Sequence, residues 1–163
     1  PLDIKHLWRD DLVSFLIGCS FSFEEALKKN GLPIRHNEMG KNVPMYKTNI
    51  PCKSTKHFFG NMVVSMRPMT AEQAEKAHEI TSSMPKVHGA PIHIGDGRDI
   101  GIKNLAKPDF GDPVDIYGNE VCVFWPCGLT PQAAVMAAMP NFSITHAPSP
   151  MLLCHIHTRS TIA

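Results

Sequence analysis

The sequence predicts an α/β fold, in which both ends of the chain build one layer and a small α+β unit is inserted at about residues 33–84. Buried-type strands alternate with a helix after residue 85, which is typical of a mainly parallel sheet covered by helices. Between Pro33 and Met84 the pattern changes to two short strands and one helix. Apolar residues make up 43% of the 163 residues, which is enough for a core without disulfides.

Two helices are predicted before the inserted unit. Apolar residues at helical spacing predict the first, from His6 to about Ile17, and Gly18 ends it. The second begins with the capping-box pattern Ser22–Glu25, and Gly31 fits the left-handed position just past its end.

The inserted unit contains two strands and a helix. Runs with strand character cover residues 43–50 and 62–66. Thr70 and Gln73 form a second capping box, which predicts a helix from Thr70 to about Ser83.

The remaining elements are short strands and one helix. Thr130 is a suitable N-cap and Pro131 occupies the favoured first position of a helix that extends to about Ala138. The strands are predicted at residues 91–94, 121–125 and 142–145.

Composition argues against several classes of partner. The formal net charge is +1, so no net field recruits nucleic acid or an anionic membrane. No apolar stretch reaches the roughly 20 residues needed to cross a bilayer, and no signal peptide is recognisable. The 5 scattered cysteines indicate a reducing compartment with mostly buried, non-catalytic thiols. Because the chain starts at Pro1 and lacks an initiator Met, we expect a fragment or a processed form.

The densest polar cluster surrounds His93 and Asp96. His93 lies in a predicted short strand and Asp96 just past its end, where open α/β sheets bind ligands. Imidazole titrates near neutrality and a carboxylate can fix its tautomer, so the pair suits proton transfer. A core histidine and a turn-capping aspartate are the alternative interpretation.

Other candidates are suited to binding carboxylates. The helix that starts near Thr130 offers free backbone amides, although an ordinary turn explains the same pattern. Arg67, at the end of an apolar strand, could hold a carboxylate through two hydrogen bonds, and a structural ion pair fits equally well. Arg35 and Asn49 lie near strand or loop positions of the same unit.

Two motif-like patterns fail their spacing tests. Gly95–Gly101 is one residue too long for a dinucleotide-binding motif. Cys154, His155 and His157 have no partner pair at zinc-site spacing, so a solvated tail is the better interpretation.

Several ordered blocks of sequence carry a family resemblance. They are Asp10–Glu24, Arg35–His36, Asn42–Asn49, Met62–Pro68, His88–Pro91 with Gly95–Asp96, Pro108–Asp112, Val123–Gln132 and Ile144–Pro148. Together they resemble the D-glutamate cyclase family, which is also described as a hydro-lyase family.

The resemblance implies a three-layer α/β domain from residues 1–32 and 85–148, a small inserted two-layer α+β domain at 33–84, and an atypical tail at 149–163. It also implies a lyase that interconverts D-glutamate and 5-oxo-D-proline with loss or gain of water. Bacterial members are expected in the cytoplasm and animal members in the mitochondrial matrix. No cofactor or metal is expected, and a homo-oligomer stays open.

The chain departs from the family pattern at three places. The family has a further N-terminal segment, and it usually has Pro where this chain has Gly97. After Pro148 the family continues differently from the Ser149–His155 of this chain. We therefore expect a fragment of an enzyme whose activity is open.

The resemblance and the charge demands of cyclisation assign roles as hypotheses. His93 and Asp96 form the acid/base pair, with Glu24 as a reserve acid. The predicted substrate-binding residues are Arg67, Arg35, Asn49, Thr130 and His146. The alternatives are a hydro-lyase for another small hydroxy or amino acid, and a catalytically silent module that binds a small acid.

Overall fold

A four-stranded sheet organises residues 3–145, which are the residues described in a computed structural model of the chain. The strands are β1 (Met45–Pro51), β2 (Asn61–Thr70), β3 (His93–Gly95) and β4 (Glu120–Pro126). Their order is β1-β2-β4-β3, and each neighbouring pair is antiparallel. The mixture of helices and strands agrees with the predicted α/β class, but the prediction of a mainly parallel sheet is wrong. β4 is unbroken in its apolar pattern because both of its faces are covered, and no parallel neighbour is needed to explain it.

The helices are α1 (Phe21–Lys29), α2 (Arg35–Glu38), α3 (Ala71–Ser82) and α4 (Leu129–Ala138). Short 3-10 helices cover Lys5–Leu7, Pro85–Val87 and Gly97–Ile100. Within the described range no helix has the length and apolar character needed to span a membrane.

The two faces of the sheet carry separate cores. Along β4, Val123 and Trp125 join the core that α1 and α3 cover, and we call this side the helix face. Cys122 and Phe124 point to the opposite side, which the chain around residues 100–105 covers, and we call it the loop face. This alternation follows from the two-residue period of a strand.

Two predicted helix signals are confirmed. Thr70 and Gln73 form the capping box of α3, with both reciprocal hydrogen bonds present. Gly31 has a φ of +75° after α1, and the amides of Gly31 and Leu32 donate to the carbonyls of Lys28 and Leu27. This is the Schellman arrangement, which satisfies carbonyls at the end of a helix.

Three local predictions are wrong. Residues 8–19 form no helix, because Phe15 and Leu16 are 80% and 69% exposed and a short helix depends on packing its apolar face. The Ser22 capping box does not form, since α1 begins two residues earlier than a Ser22 N-cap requires, with Ser20 at its N-cap. Residues 142–145 form no strand, since their backbone pairs with none of the four described strands.

The predicted inserted unit shares its sheet with the rest of the described chain. β1 and β2 come from residues 33–84, and β3 and β4 come from the part after residue 85. β2 and β4 pair over seven residue positions, from Val64 opposite Pro126 to Thr70 opposite Glu120. The division into a three-layer domain and an inserted domain stays a prediction.

Candidate active site

A buried arginine organises a polar cluster on the helix face of the sheet. Arg67 lies on β2 and is 0% exposed. Its Nε and Nη2 donate to Glu24 Oε1 at 3.1 and 2.5 Å. Nη1 donates to Ser65 Oγ at 3.1 Å, and Nη2 donates to Ser20 Oγ at 3.1 Å. The spacing of the sequence explains the arrangement, since Ser65 and Arg67 are two apart on a strand and Ser20 and Glu24 are four apart at a helix start.

Aromatic rings cover the same guanidinium. Arg67 Cζ lies 5.0 Å from the ring centre of Phe23 and 5.4 Å from that of Trp125. Both distances are within the range of cation–π attraction, and the delocalised charge of arginine tolerates such surroundings better than an ammonium group would. The cation is therefore held in one orientation by hydrogen bonds at its edge and by rings on its faces.

Glu24 is the charge partner in this cluster. Asn37 Nδ2 donates to its Oε2 at 3.3 Å, and His36 Nε2 lies 3.2 Å from its Oε1. Burial raises the pKa of Glu24, but the imidazole of His36 and the charge of Arg67 outweigh burial and lower the pKa to about 2. Glu24 is therefore a carboxylate at neutral pH, and this geometry fits a charge partner better than the predicted reserve acid.

Three loops meet beside the cluster, and we call this place the loop junction: residues 17–20, 86–89 and 126–129. A Cβ placed on Gly18 would lie 2.7 Å from the carbonyl oxygen of Lys86, so the first two segments are in tight contact. A Cβ on Gly128 would lie 3.6 Å from the carbonyl oxygen of Gly18, which joins the third segment to them. Binding sites are commonly built where loops converge at one end of a rigid sheet.

Sequence reasoning missed His88, which lies in the loop junction. Its φ is +83°, a conformation uncommon for a residue other than glycine. Its Nε2 is buried and has no hydrogen-bond partner within residues 3–145. His88 lies in a sequence block that carries the family resemblance, but neither its backbone conformation nor its unpartnered nitrogen has a signal in the sequence.

His93 and Asp96 do not pair through their side chains. His93 Nε2 lies 2.9 Å from the backbone carbonyl of Asp96, and the Asp96 carboxylate contacts Arg98. Hydrogen bonds from Arg98 lower the pKa of Asp96 to about 2. Asp96 also caps the 3-10 helix that follows it and lines an open groove of about 630 Å³ together with Lys41. The predicted acid/base roles of both residues stay predictions.

The sheet separates His93 from Arg67. His93 pairs with Phe124 across β3 and β4, and their rings lie 5.7 Å apart on the loop face. Arg67 packs against Trp125 on the helix face. The structure therefore brings Arg67 and Glu24 together, and it does not bring His93 and Asp96 to them.

Arg35 is engaged in an ion pair. Its Nη2 lies 2.6 Å from Glu120 Oε1, its Nη1 donates to the carbonyl of Asp115 at 3.0 Å, and its guanidinium stacks on Tyr117 at 4.2 Å. The side chains of Arg35 and Glu120 are 9% and 6% exposed, so the pair ties α2 to β4. Arg35 therefore makes a structural ion pair, and its predicted substrate-binding role stays a prediction.

The remaining predicted binding residues are dispersed. Thr130 is not the N-cap of α4, which is Gly128, because the Thr130 hydroxyl donates to the Val63 carbonyl and accepts from the Val63 amide. Asn49 is exposed and packs against Gly101, where an added Cβ would lie 2.9 Å from the Cβ of Asn49. His146 lies outside the described residues, as do Cys154, His155 and His157.

The described range contains four free thiols, of which Cys122 is buried and Cys19, Cys52 and Cys127 are half-buried, so the prediction of mostly buried thiols is wrong. Burial raises the pKa of Cys127, which lies in the loop junction, so this thiol stays protonated at neutral pH. No group of three or more metal-ligating side chains occurs between residues 3 and 145.

The sequence is similar to those of known proteins over most of its length. Residues 13–155 match the family described as D-glutamate cyclase. A Bordetella pertussis protein named "Putative hydro-lyase" is 59% identical over 153 residues, which is 94% of this chain and 55% of that protein. Proteins of the same name from Bacillus licheniformis and Staphylococcus carnosus are 58% and 56% identical over 94% and 96% of this chain.

The fold and the site describe an α/β protein with a buried arginine–carboxylate cluster beside converging loops, and the chain is similar to proteins named as hydro-lyases. The chain belongs to the D-glutamate cyclase family. It spans 55–60% of the length of the three relatives described above.

Proposed function

We propose that this chain carries the site of a hydro-lyase of the D-glutamate cyclase type, which interconverts D-glutamate and 5-oxo-D-proline plus water. The family description and the names of the relatives support the reaction class. The observation that carries the proposal is the Arg67 cluster, which lies beside the loop junction.

Arg67 retains hydrogen-bonding capacity. Its four bonds to Glu24, Ser20 and Ser65 use four of the five N–H donors of a guanidinium, which leaves one donor on Nη1 within the described contacts. A substrate oxygen is the natural acceptor for a charged donor of this kind. Since the site is buried, the interaction would be stronger than in water.

The chemistry of cyclisation requires such a donor. When the amine of D-glutamate attacks the γ-carboxyl carbon, negative charge develops on the carboxyl oxygens. A donor that is already oriented stabilises that charge without reorganisation at the moment of reaction. Glu24 would act here as a positioning residue, because it fixes the guanidinium.

The test compares conservative variants of two arginines. The chain is incubated with D-glutamate, L-glutamate or 5-oxo-D-proline, and the products are separated by chiral chromatography. We expect interconversion of the two D-compounds alone. R67K keeps the positive charge but loses the planar guanidinium group with its fixed N–H donors, and we expect the rate to fall about 100-fold. R9K changes an exposed arginine paired with Asp11 and is expected to leave the rate unchanged.

Other outcomes identify the alternatives. A folded chain that converts neither D-compound contradicts the proposal. If 5-oxo-D-proline then still raises the melting temperature, the binding module is favoured instead. Dehydration of a different hydroxy acid in the absence of D-glutamate turnover would favour another hydro-lyase.

A further inference from the structure

His88 combines three features that set it apart from the other described histidines. It lies in the loop junction, its backbone is in the left-handed region, and its buried Nε2 has no partner within the described chain. A buried polar atom normally has a hydrogen-bond partner, and an orphan of this kind calls for an explanation. The left-handed conformation places His88 at the C-cap of the 3-10 helix Pro85–Val87, so the end of that helix fixes where the imidazole lies.

The ring of His88 is neutral at pH 7, and its surroundings differ at the two ring nitrogens. Burial and the charge of Arg67 lower the pKa of His88 to about 4, against a smaller opposing effect of a hydrogen bond to the Gly18 backbone. We place the imidazole proton on Nδ1, toward the Gly18 backbone, because Nε2 has no partner within the described chain. Nε2 is then a lone-pair acceptor.

The position of His88 relates it directly to the Arg67 cluster. The charge of Arg67 acts on the imidazole, and Gly18, which packs against Lys86 and Val87 just before His88, is two residues from the N-cap Ser20 that binds Arg67. One small ligand at the loop junction could therefore contact both His88 Nε2 and the free donor of Arg67. Such a ligand needs an N–H donor and a carboxylate, and both substrates of the proposed reaction have them.

We propose that His88 is a catalytic residue of this site, and that its Nε2 carries protons from the substrate nitrogen to the departing oxygen. This inference rests on the proposed function. Cyclisation forms the bond between the amine nitrogen and the γ-carbon and breaks one bond between that carbon and oxygen. Starting from the ammonium and carboxylate forms, two protons leave the nitrogen, and two arrive on the carboxylate oxygen that departs as water. A single imidazole beside both atoms can accept and return each proton, and no further reactant is required.

A bound dicarboxylate also adjusts the basicity of the imidazole. Arg67 disfavours the protonated ring in the unliganded chain. Two substrate carboxylates nearby counter that charge, so the imidazole becomes a better base when substrate is present. In the reverse direction a water molecule attacks the lactam carbonyl, and His88 Nε2 accepts a proton from that water.

The first test separates kcat from KM. Asparagine tolerates the left-handed backbone, so H88N removes the imidazole and preserves the turn. We expect kcat to fall by at least 100-fold with KM changed less than threefold, in line with the loss of general acid–base catalysis. H78N, which changes an exposed histidine on α3, is expected to leave both constants unchanged. An H88N variant that is folded and fully active would overturn the assignment while the proposed function stands.

The second test needs neither a variant nor turnover. The wild-type chain is labelled with ¹⁵N-histidine and titrated with 5-oxo-D-proline at pH 7. We expect the Nε2 resonance of His88 to shift as the lactam N–H donates to it, with the Nδ1 resonance nearly constant. Saturation without any change at His88 would overturn the inference. Absence of turnover with a normal His88 shift would instead overturn the proposed function and leave a binding role for this nitrogen.

Discussion

The Arg67–Glu24 pair shows what a single buried side chain requires of its surroundings. Taking each ion out of water costs several kcal/mol, and the cost is offset where the geometry is good and the remaining donors are satisfied. Here two serine hydroxyls and two aromatic rings complete the environment. Deleting one partner would leave the other charge buried, at a cost of about 3–5 kcal/mol. R67K is therefore more informative than R67A, because loss of folding would obscure any effect on chemistry.

Titration of Glu24 and of the partly buried His88 makes the stability of the chain depend on pH in two windows that overlap slightly. The pKa of His88 falls from 6.5 to about 4 on folding, through burial and Arg67. The pKa of Glu24 falls from 4.5 to about 2, through His36 and Arg67 acting against burial. In each window the unfolded chain binds the proton and the folded chain does not. The free energy of unfolding therefore falls as pH drops from about 6.5 to 4, and falls again from about 4.5 to 2.

Urea unfolding at intervals from pH 7.5 to 2.5 measures these slopes. H88N removes the titrating ring, so the decline between pH 6.5 and 4 should flatten, whereas H78N should keep the wild-type slope. E24Q should flatten the decline of the unfolding free energy below pH 4.5. It should also be less stable than wild type at neutral pH, because Arg67 loses its counter-charge. A slope above pH 4.5 that is identical in wild type and H88N would contradict the charge state assigned to His88.

At the level of single elements, local chemistry decided which predictions succeed. The capping box of α3 and the left-handed glycine after α1 involve residues within a few positions of each other, so the sequence alone was sufficient. The predicted helix over residues 6–17 has equally good periodicity but lacks a surface to pack against in the described chain. Thr130 has the composition of an N-cap, yet its hydroxyl bonds to Val63, 67 positions away.

The sequence predicted individual residues of the candidate site, but not which of them contact each other. Arg67 and Glu24 were both identified, but their contact joins positions 43 apart, and no local pattern reports such a pairing. His93 and Asp96 are close in sequence, and this closeness led to the prediction that their side chains pair. The turn at residues 95–97 instead presents the backbone carbonyl of Asp96 to the imidazole. His93 and Arg67 lie on opposite faces of the sheet because of the pairing register of β2, β3 and β4. The pattern of a single sequence does not determine that register.

The end of α1 permits a test of backbone conformation free of packing effects. Gly31 has a φ of +75°, and nothing lies within 4 Å of a Cβ added there. G31A should therefore cost about 1 kcal/mol of unfolding free energy, entirely from the left-handed backbone. Gly118 also has open space but no positive φ, so G118A is the matched control and should change stability by less than about 0.5 kcal/mol. Equal effects of the two substitutions in urea unfolding would contradict this interpretation.

For the molecule as a whole, the antiparallel sheet carries different chemistry on its two faces. The helix face combines a large apolar core with the Arg67 cluster, and the loop face is filled mainly by apolar side chains with the Tyr46 hydroxyl bonded to a backbone carbonyl. The hollow lined by Pro33 and Gln73 and the groove lined by Lys41 and Asp96 include neither Arg67 nor His88. Access to the proposed site is therefore expected through the loop junction.

The chain also exposes apolar side chains that folded proteins usually cover. Val13, Phe15 and Leu16 are 77%, 80% and 69% exposed, and Met136 and Met139 on and after α4 are 69% and 81% exposed. Large exposed apolar patches promote association and bind hydrophobic dyes. The isolated chain should accordingly bind anilinonaphthalene sulfonate at neutral pH and show a mass that rises with concentration in sedimentation experiments.

Two sets of substitutions distinguish dye binding by the exposed apolar side chains from the stability of the core. F15S combined with L16S should at least halve the dye fluorescence and reduce association, while the free energy of unfolding changes by less than about 1 kcal/mol, because these side chains make little contact in the folded chain. F23S is the contrasting variant, since Phe23 is 0% exposed and packs on Trp125 at 5.3 Å. Its loss should cost about 3–5 kcal/mol. Dye binding that survives F15S/L16S unchanged, or a loss of stability in F15S/L16S comparable to that of F23S, would show that residues 13–17 are packed in solution.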